Sequence, residues 1–209
     1  IWGNLGLNYI YVGQYAEAQN FLQQIIADCR ARKHQQGESV YLDSQAVIHL
    51  QLGNYPEARR IAEQALAIQQ AIHDRRFEAY SLTYLGEALA GLGDFAASHL
   101  AYEQALRIRR QLGEEQLMQE ALVGLAQVQL AQGNMAEAAA HVTTVLNWIE
   151  THGFEGIEFP IQLYLACYQI LHCAGEAEQA ASVLETGYQL LQSRAAKIQD
   201  RQMRDSFME

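Results

Sequence analysis

The sequence predicts an all-α fold of stacked antiparallel helix pairs, and three observations lead to this prediction. First, glycines recur at intervals of 40, 40, 40 and 42 residues along the 209-residue chain. Second, apolar residues on both sides of each glycine are spaced three and four apart, as on the buried face of a helix. Third, no segment alternates apolar and polar residues as a strand would. A period of this length is typical of stacked-repeat architectures. The recurring glycines are Gly13, Gly53, Gly93, Gly133 and Gly175.

Each repeat is predicted to contain two helices with the glycine between them. The glycine supplies the left-handed residue that ends the first helix, and Asn54, Asp94 or Asn134 then caps the second. Asn54 with Glu57, and Asn134 with Glu137, resemble capping boxes. The predicted helices span 2–12, 15–34, 38–52, 55–72, 75–92, 95–112, 115–132, 135–152, 157–174 and 177–198, with a short eleventh helix from 200 onwards.

These helices are expected to form one domain over residues 1–209. The predicted repeats are approximately 1–36, 37–74, 75–114, 115–154 and 155–198, followed by a C-terminal capping helix at 199–209. Because the sequence starts without a methionine and stops within the pattern, we expect it to be a segment of a longer protein.

Small residues mark the predicted contact between the two helices of each repeat. Repeat five departs from this pattern, because Tyr168 takes the small position and Gly187 stands where earlier repeats have Ala65 and Ala105. We therefore expect the Tyr168 ring to lie over Gly187. The small residues are Gly6, Ala46, Gly86 and Ala126 on the first helices, and Ala18, Ala58, Ser98, Ala138 and Ala180 on the second.

Composition and charge exclude several functional classes. The chain has 24 acidic and 14 basic residues, a net charge of -10, so it would repel nucleic acid. No apolar run approaches the roughly 20 residues of a membrane span. Cys29, Cys167 and Cys173 form no CxxC pair, which favours a reducing cytoplasm over a disulfide-forming compartment.

No catalytic or metal-binding motif stands out. The sequence has no GxSxG, phosphate-loop, HExxH or GxGxxG pattern. Cys167, His172 and Cys173 share one predicted helix, but their spacing places them on different faces, so a shared zinc ion is not expected. The arginines at 107, 109 and 110 are interpreted as a helix end or a solvated face. We therefore expect no enzyme activity, metal or cofactor.

The repeat residues resemble those of a known family. In particular, the chain resembles the tetratricopeptide repeat (TPR) family, in its long 40-residue variety found in bacterial signalling proteins and transcriptional regulators and in kinesin light chain scaffolds. This resemblance implies a right-handed superhelix, or α-solenoid, whose concave wall is built from the first helix of each repeat. It rests on Trp2, Leu5, Gly6, Tyr9, Gly13, Tyr15 and Ala18 in repeat one, and on Leu82, Leu85, Gly86, Leu89, Gly93, Phe95, Tyr102 and Ala105 in repeat three.

The resemblance also implies a set of groove residues on the concave wall. Several are apolar side chains with no evident core to fill, so we expect them to be exposed contact residues; the alternative is that a neighbouring repeat covers Leu7 or Val47. The implied groove residues are Asn4, Leu7, Tyr11, Asp43, Val47, Leu50, Tyr80, Thr83, Tyr84, Glu87, Glu120, Val123, Gln127, Gln162, Gln169 and His172. Their neighbours Ile10, Val40, Ser44 and Leu165 complete the implied wall. The tail around Arg204, Ser206 and Phe207 resembles a segment that closes the last repeat.

Charge along the chain predicts the chemistry of a partner. None of the groove positions is Lys or Arg, and no Lys or Arg occurs between Gln111 and Ser193, where ten acidic residues do. A basic or neutral, partly apolar protein or peptide segment would complement this surface.

Two functions are consistent with these observations. The first is a protein-interaction scaffold within a larger bacterial signalling or regulatory protein, with self-association through exposed end repeats as a further possibility. The alternative is a sensor for a ligand or signalling peptide that transmits binding as a change in superhelix shape. The sensor predicts a closed pocket around Tyr80, Tyr84 and Glu87.

Overall fold

A computed structural model describes residues 8–154 and 156–208, which are largely helical and contain no strand. The predicted all-α architecture of stacked helix pairs is confirmed. No helix in these two ranges has both the length and the apolar character needed to cross a bilayer. The helices are α1 (8–11), α2 (Tyr15–Ala31), α3 (Gln35–Gln51), α4 (Tyr55–Ala71), α5 (Arg75–Gly91), α6 (Phe95–Leu112), α7 (Gln119–Ala131), α8 (Met135–His152), α9 (Pro160–Cys173), α10 (Ala177–Ala195) and α11 (Arg201–Met208).

Three helix starts differ by three or more residues from those predicted. The first is that of α3, which was predicted to begin at 38 and begins at Gln35. The predicted helix 115–132 is interrupted, because Glu115–Leu117 forms a 3-10 turn and α7 begins only at Gln119. The predicted helix 157–174 starts three residues late, at Pro160. Proline disfavours a helical conformation in the residue before it, and Phe159 has a φ of -123° and a ψ of 68°. The residues before Pro160 are therefore free to take a different path.

Contacts between helices identify the inner wall. Each helix from α2 to α10 packs against the next helix in the chain, and in addition α3 contacts α5, α5 contacts α7 and α7 contacts α9. The second helices of neighbouring repeats make no comparable contact among the described residues. Because the first helices of neighbouring repeats contact each other and the second helices do not, the first helices lie on the shorter, concave side of the stack.

The small residues lie at the helix contacts as predicted. Ala46 and Ala126 are fully buried, as are Ala58 and Ala138 on the helices that face them. In repeat three the Ser98 hydroxyl donates to the Gly86 carbonyl at 2.6 Å, which brings α5 and α6 close together. Gly6 lies outside the described residues.

Tyr102 on α6 depends on two glycines that face it. A Cβ atom added at Gly124 would lie 2.3 Å from the Tyr102 Cζ atom, and one added at Gly86 would lie 2.9 Å from the same ring. Only hydrogen atoms at these two positions leave room for the ring. The buried Tyr102 side chain thus packs α6 tightly against both α5 and α7.

The predicted pairing of Tyr168 with Gly187 is wrong. Gly187 faces Tyr164 instead, whose Cβ atom lies 2.9 Å from the position of a Gly187 Cβ. Tyr168 is half-buried and stacks on His172, with 5.7 Å between ring centroids. Tyr164 lies one helical turn before Tyr168 on α9, so the large residue that fills the space comes from the preceding turn.

The turns between repeats use the same left-handed geometry as the turns within repeats. Lys33 and His73 have φ values of 56° and 57°, and Gly113 has 68°. Together with the predicted glycines, a left-handed residue therefore recurs about every 20 residues. The sequence shows only the 40-residue spacing of the glycines, because two of the left-handed positions between them are occupied by Lys33 and His73.

Aspartates, not asparagines, provide the side-chain caps. Asp94 accepts from the Ala97 amide at 3.2 Å, as expected, and Asp74 accepts from the Phe77 amide at 3.3 Å. The predicted capping boxes at Asn54 and Asn134 are wrong, because neither side chain makes a cap hydrogen bond.

The last described helix lies against the first turn. A Cβ atom on Gly13 would lie 2.7 Å from the Ser206 carbonyl oxygen and 3.0 Å from the Ser206 hydroxyl. The helix α11 also contacts α10. The tail therefore does more than cover the last repeat, because it also touches the turn between α1 and α2.

Candidate functional site

The concave face is crossed by residues 156–159, which we call the strap. The strap lies between α8, which ends at His152, and α9, which begins at Pro160. Gly156 has a φ of 79° and packs against the 3-10 turn, where a Cβ atom would lie 2.7 Å from the Gln116 carbonyl oxygen. Both the positive φ and this close approach favour glycine at position 156.

Hydrogen bonds join the strap to the concave wall. One carboxylate oxygen of Glu120 on α7 accepts from the backbone amides of Glu158 and Phe159, at 3.0 and 2.8 Å. The Tyr84 hydroxyl on α5 donates to the Glu158 carboxylate at 2.6 Å. The Tyr11 hydroxyl on α1 interacts with the same carboxylate. The strap thus connects helices of repeats one, three and four.

Apolar contacts also hold the strap. The Phe159 and Tyr11 rings lie 5.6 Å apart between centroids, and Phe159 packs against the core of the first two repeats. Ile157 is buried in the core around α7 and α9. The strap side chains therefore contact apolar clusters from both halves of the molecule.

The strap and Tyr84 divide the concave face into two cavities. Cavity A has a volume of about 240 Å³ and cavity B about 470 Å³. Cavity A is lined by Val47, Leu50, Gln51, Thr83, Tyr84, Glu87, Tyr102, Glu120, Val123, Gly124, Gln127, Phe159, Gln162, Leu163 and Ala166. Cavity B is lined by Tyr11, Val40, Asp43, Ser44, Val47, Arg76, Phe77, Tyr80, Tyr84, Leu117, Gly156, Ile157 and Glu158.

The structure brings many of the predicted groove residues together in these cavities. Gln169 and His172 line neither cavity, and Asn4 and Leu7 lie outside the described residues. A role in binding stays a prediction for all the groove residues, inside and outside the cavities. The predicted groove residues that line the cavities are Tyr11, Asp43, Val47, Leu50, Tyr80, Thr83, Tyr84, Glu87, Glu120, Val123, Gln127 and Gln162.

The expectation of exposed aliphatic contact residues is wrong for most of the wall. Val47 is only 2% exposed, and Leu50 and Val123 are 5% and 4% exposed. Ile10 is likewise a core residue, whereas Leu165 is exposed but outside both cavities. Neighbouring helices cover these side chains, so the accessible part of the wall is mainly polar and aromatic.

Carboxylates dominate the charge of cavity A. Burial raises the pKa of Glu87 to about 7 and the pKa of Glu120 to about 8, and the nearby charge of Glu158 adds to both increases. The Glu87 side chain is reached by solvent, but it lies deep between the walls of the concave face. It makes no hydrogen bond or ion pair with any described residue.

Asp43 lies at the wall of cavity B within a buried network. Gln69 donates an amide proton to one Asp43 oxygen at 2.7 Å, and the Ser81 hydroxyl lies 2.5 Å from the other oxygen. The same hydroxyl lies 2.6 Å from the Gln69 carbonyl oxygen. Burial raises the pKa of Asp43 to about 8, although both hydrogen bonds oppose that increase.

Two arginines lie under one edge of cavity B. The Arg109 guanidinium packs on the Tyr80 ring, 4.1 Å from its centroid, and bonds to Glu114 at 2.6 Å. Arg76 pairs with the other oxygen of Glu114 at 3.0 Å. Of the two interpretations of Arg109, the solvated face is wrong, because this side chain is 2% exposed. The helix end is confirmed, because Arg109 lies in the last turn of α6. Glu114 neutralises part of the positive charge near Tyr80.

The cysteines and histidines form no site. Cys167 is fully buried, and burial raises the pKa of its thiol to about 12. Cys173 and His172 are exposed. Within residues 8–154 and 156–208, no group of three or more His, Cys, Asp or Glu side chains could hold a metal ion.

The strap is the feature that the sequence interpretation missed. Two signals could have indicated it: the interval from Gly133 to Gly175 is 42 residues where the others are 40, and Pro160 stands inside the predicted helix. Proline is common in the first turn of a helix and rare inside one. A helix start at Pro160 would have left residues 156–159 unassigned.

Solved structures share this fold over most of the chain. One is that of the nearly identical TPR-like repeats of a Podosopora anserina protein described as a kinesin light chain, with a TM-score of 0.63 and 18% identity over 94% of this chain and 95% of that one. Another is BtubC (BKLC) from P. vanneervenii, with a TM-score of 0.63 and 14% identity over 90% of this chain and 77% of that one. At these identities the likeness concerns the fold alone. No curated protein matches the sequence significantly.

Family models match the sequence directly. Three models described as tetratricopeptide repeat match residues 1–27, 38–111 and 119–142. Together these ranges span more than half of the chain and parts of four of its repeats. The chain therefore belongs to the tetratricopeptide repeat family.

Proposed function

We propose that this chain is a protein-interaction module whose concave groove binds a basic or neutral, partly apolar segment of a partner protein. Cavity A carries the proposal: Glu87 and Glu120 face it, and its described lining includes no Lys, Arg or His. At pH 7 the raised pKa values leave Glu120 mainly protonated and Glu87 about half ionised, and a cation of a partner would favour the ionised form of both. The Tyr84 and Phe159 rings in the same lining would pack against an aliphatic stem or an aromatic ring.

Family membership supports the same role, since TPR proteins are typically non-enzymatic scaffolds. We also propose that the chain acts in the cytoplasm as part of a larger bacterial signalling or regulatory protein. This part of the proposal rests on the resemblance of its repeats to the long TPR variety. The net charge of -10 argues against a nucleic-acid partner. Self-association through the end repeats stays a prediction.

Selection from a random peptide library would test the partner chemistry. We expect the wild-type protein to enrich peptides that combine Lys or Arg with aromatic or aliphatic residues. Glu87→Gln removes the unpaired charge while keeping the shape, so we expect it to weaken binding about tenfold, which corresponds to roughly 1.4 kcal/mol. Added salt should weaken binding to the wild type more than to the variant.

Glu150→Gln is the matched control, because Glu150 is an exposed glutamate on α8 that lines neither cavity. It should bind the selected peptides as the wild type does. Enrichment of acidic peptides, or equal affinity of Glu87→Gln and wild type, would contradict the proposal.

The cavities also favour a second candidate, a sensor for a small ligand. The sensor interpretation expects one closed pocket around Tyr80, Tyr84 and Glu87. Instead, Glu87 lines cavity A, Tyr80 lines cavity B and Tyr84 lines both, so a small ligand would bind in one of the two cavities beside Tyr84. A ligand that binds only the folded state would raise the melting temperature. Screening small amines by thermal shift, with X-ray scattering on any that stabilise the protein, should then reveal a change in radius of gyration. Stabilisation without such a change would contradict a sensor that acts through superhelix shape.

A further inference from the structure

The strap makes contacts of the kind that a bound peptide makes with a groove. Its two consecutive backbone amides donate to one carboxylate of the wall, and its Phe159 ring fills an apolar site beside Tyr11. Backbone hydrogen bonds with alternate side chains in pockets are a common mode of peptide recognition. The strap therefore shows which features of a short peptide segment this groove accommodates.

The charge of the strap does not match its surroundings. The Glu158 carboxylate is held by the hydroxyls of Tyr84 and Tyr11 and by no cation among the described residues. Burial is the main cause of the raised pKa values of Glu87 and Glu120, and the charge of Glu158 is the second cause. Like charges brought together in a partly desolvated site repel each other. An acidic segment is thus a poorly matched occupant of this acidic groove.

Both cavities end at the strap. Phe159 lines cavity A, whereas Gly156, Ile157 and Glu158 line cavity B. Val47 and Tyr84 line both cavities. Movement of the strap away from Tyr84 would therefore join the two cavities into one longer groove across α3, α5 and α7.

We propose that the strap is an internal occupant of the partner-binding groove, and that a partner segment binds by displacing it, with an aromatic side chain in the place of Phe159 and a basic one in the place of Glu158. This proposal rests on the proposed function, because it assumes that the concave groove is the binding surface. It adds a feature of the partner, an adjacent basic and aromatic pair of residues. It also makes the affinity depend on the fraction of molecules in which the strap is displaced.

Labelled synthetic peptides provide the test. One peptide has the sequence of residues 156–160, Gly-Ile-Glu-Phe-Pro, and the second carries Glu158→Arg. The proteins are the wild type, Phe159→Ala, and Tyr188→Ala as the matched control, since Tyr188 is an aromatic residue exposed on α10. We expect Phe159→Ala to bind the Glu158→Arg peptide at least tenfold more tightly than the wild type does, and more tightly than it binds the native-sequence peptide. Tyr188→Ala should bind like the wild type.

Tyr84→Phe provides a second variant in case Phe159→Ala unfolds. It removes the hydroxyl that donates to Glu158 and keeps the ring, so it should also bind the Glu158→Arg peptide more tightly than the wild type. In parallel, the Glu158 and Phe159 amides of the wild type should exchange with deuterium faster once the peptide is bound, because they lose Glu120 as acceptor.

The outcomes separate the two proposals. If the wild type, Phe159→Ala and Tyr84→Phe bind the Glu158→Arg peptide equally, and the strap amides stay protected, the groove binds basic peptides but the strap is a fixed wall, and the displacement proposal is overturned. If neither the wild type nor these two variants bind this peptide or any basic peptide selected from the library, the proposed function fails and the displacement proposal fails with it.

Discussion

Asp43 shows how a single proton can connect three helices. The Ser81 hydroxyl has one proton but two acceptors within 2.6 Å, Asp43 and the Gln69 carbonyl oxygen. If Asp43 is ionised, one acceptor has no donor. If Asp43 is protonated, it donates to Ser81, Ser81 donates to Gln69, and Gln69 donates back to Asp43. This closed ring joins α3, α4 and α5 with every group satisfied, and a pKa of about 8 keeps Asp43 mainly protonated at pH 7.

Asp43→Asn should therefore remove a pH dependence of stability. The folded-state pKa of about 8 lies above the value of about 4 in the unfolded chain. The folded state thus holds a proton that the unfolded state releases, and the free energy of unfolding falls as pH rises between these two values. Urea unfolding at pH 5 and pH 8.5 should show a loss at least about 1 kcal/mol larger for wild type than for Asp43→Asn.

Asp43→Ala is the companion variant for this measurement. It cannot complete the ring, so it should be less stable than Asp43→Asn at both pH values. Parallel pH profiles for wild type and Asp43→Asn would show that Asp43 is already ionised in the folded protein.

At the scale of elements, the turns between repeats carry avoidable strain. Lys33 and His73 adopt left-handed backbone conformations, which disfavour residues with a Cβ atom by roughly 1–2 kcal/mol. Glycine at these positions also increases the entropy of the unfolded chain, which offsets part of the gain. We expect Lys33→Gly and His73→Gly each to stabilise the protein by up to about 1 kcal/mol in urea unfolding.

Arg32→Gly serves as the control for this prediction. Arg32 precedes Lys33 but has a φ of -89°, which an L-residue adopts without strain. Glycine there should destabilise the protein by about 0.5–1 kcal/mol. A destabilising Lys33→Gly substitution would mean that the turn tolerates a side chain without strain.

The helices could be predicted from the sequence because their signals are local. A left-handed glycine followed by a polar cap and a helical apolar period fixes most boundaries to within a few residues, and α6 and α8 begin and end where expected. The strap depends on contacts among repeats that are distant in sequence, such as Phe159 with Tyr11. A helical period cannot reveal such contacts. The buried Arg109 was missed because the helical period does not show that Tyr80 on α5 and Glu114 after α6 contact its side chain.

At the scale of the whole molecule, α11 joins the two ends of the described chain. Ser206→Arg would place a long side chain at the contact with Gly13, so we expect α11 to separate from the first turn. A loss of about 1 kcal/mol would lower the melting temperature by roughly 2–4 °C for a chain of this size. Amide exchange at the turn around Gly13 should accelerate.

Gln202→Arg introduces the same side chain on the same helix at an exposed position and should change neither quantity. Equal melting temperatures for Ser206→Arg and wild type would show that the contact between α11 and the first turn adds no stability.

Contact between residues 13 and 206, and between Tyr11 and Phe159, has a consequence for how the molecule responds to force and heat. In an open array each repeat contacts only its neighbours, so the array can be extended elastically and can unfold repeat by repeat from either end. Here the first and last segments are tied to each other and to the middle. Fraying of one end must break these ties, which makes gradual unravelling costly and links all repeats into one cooperative unit.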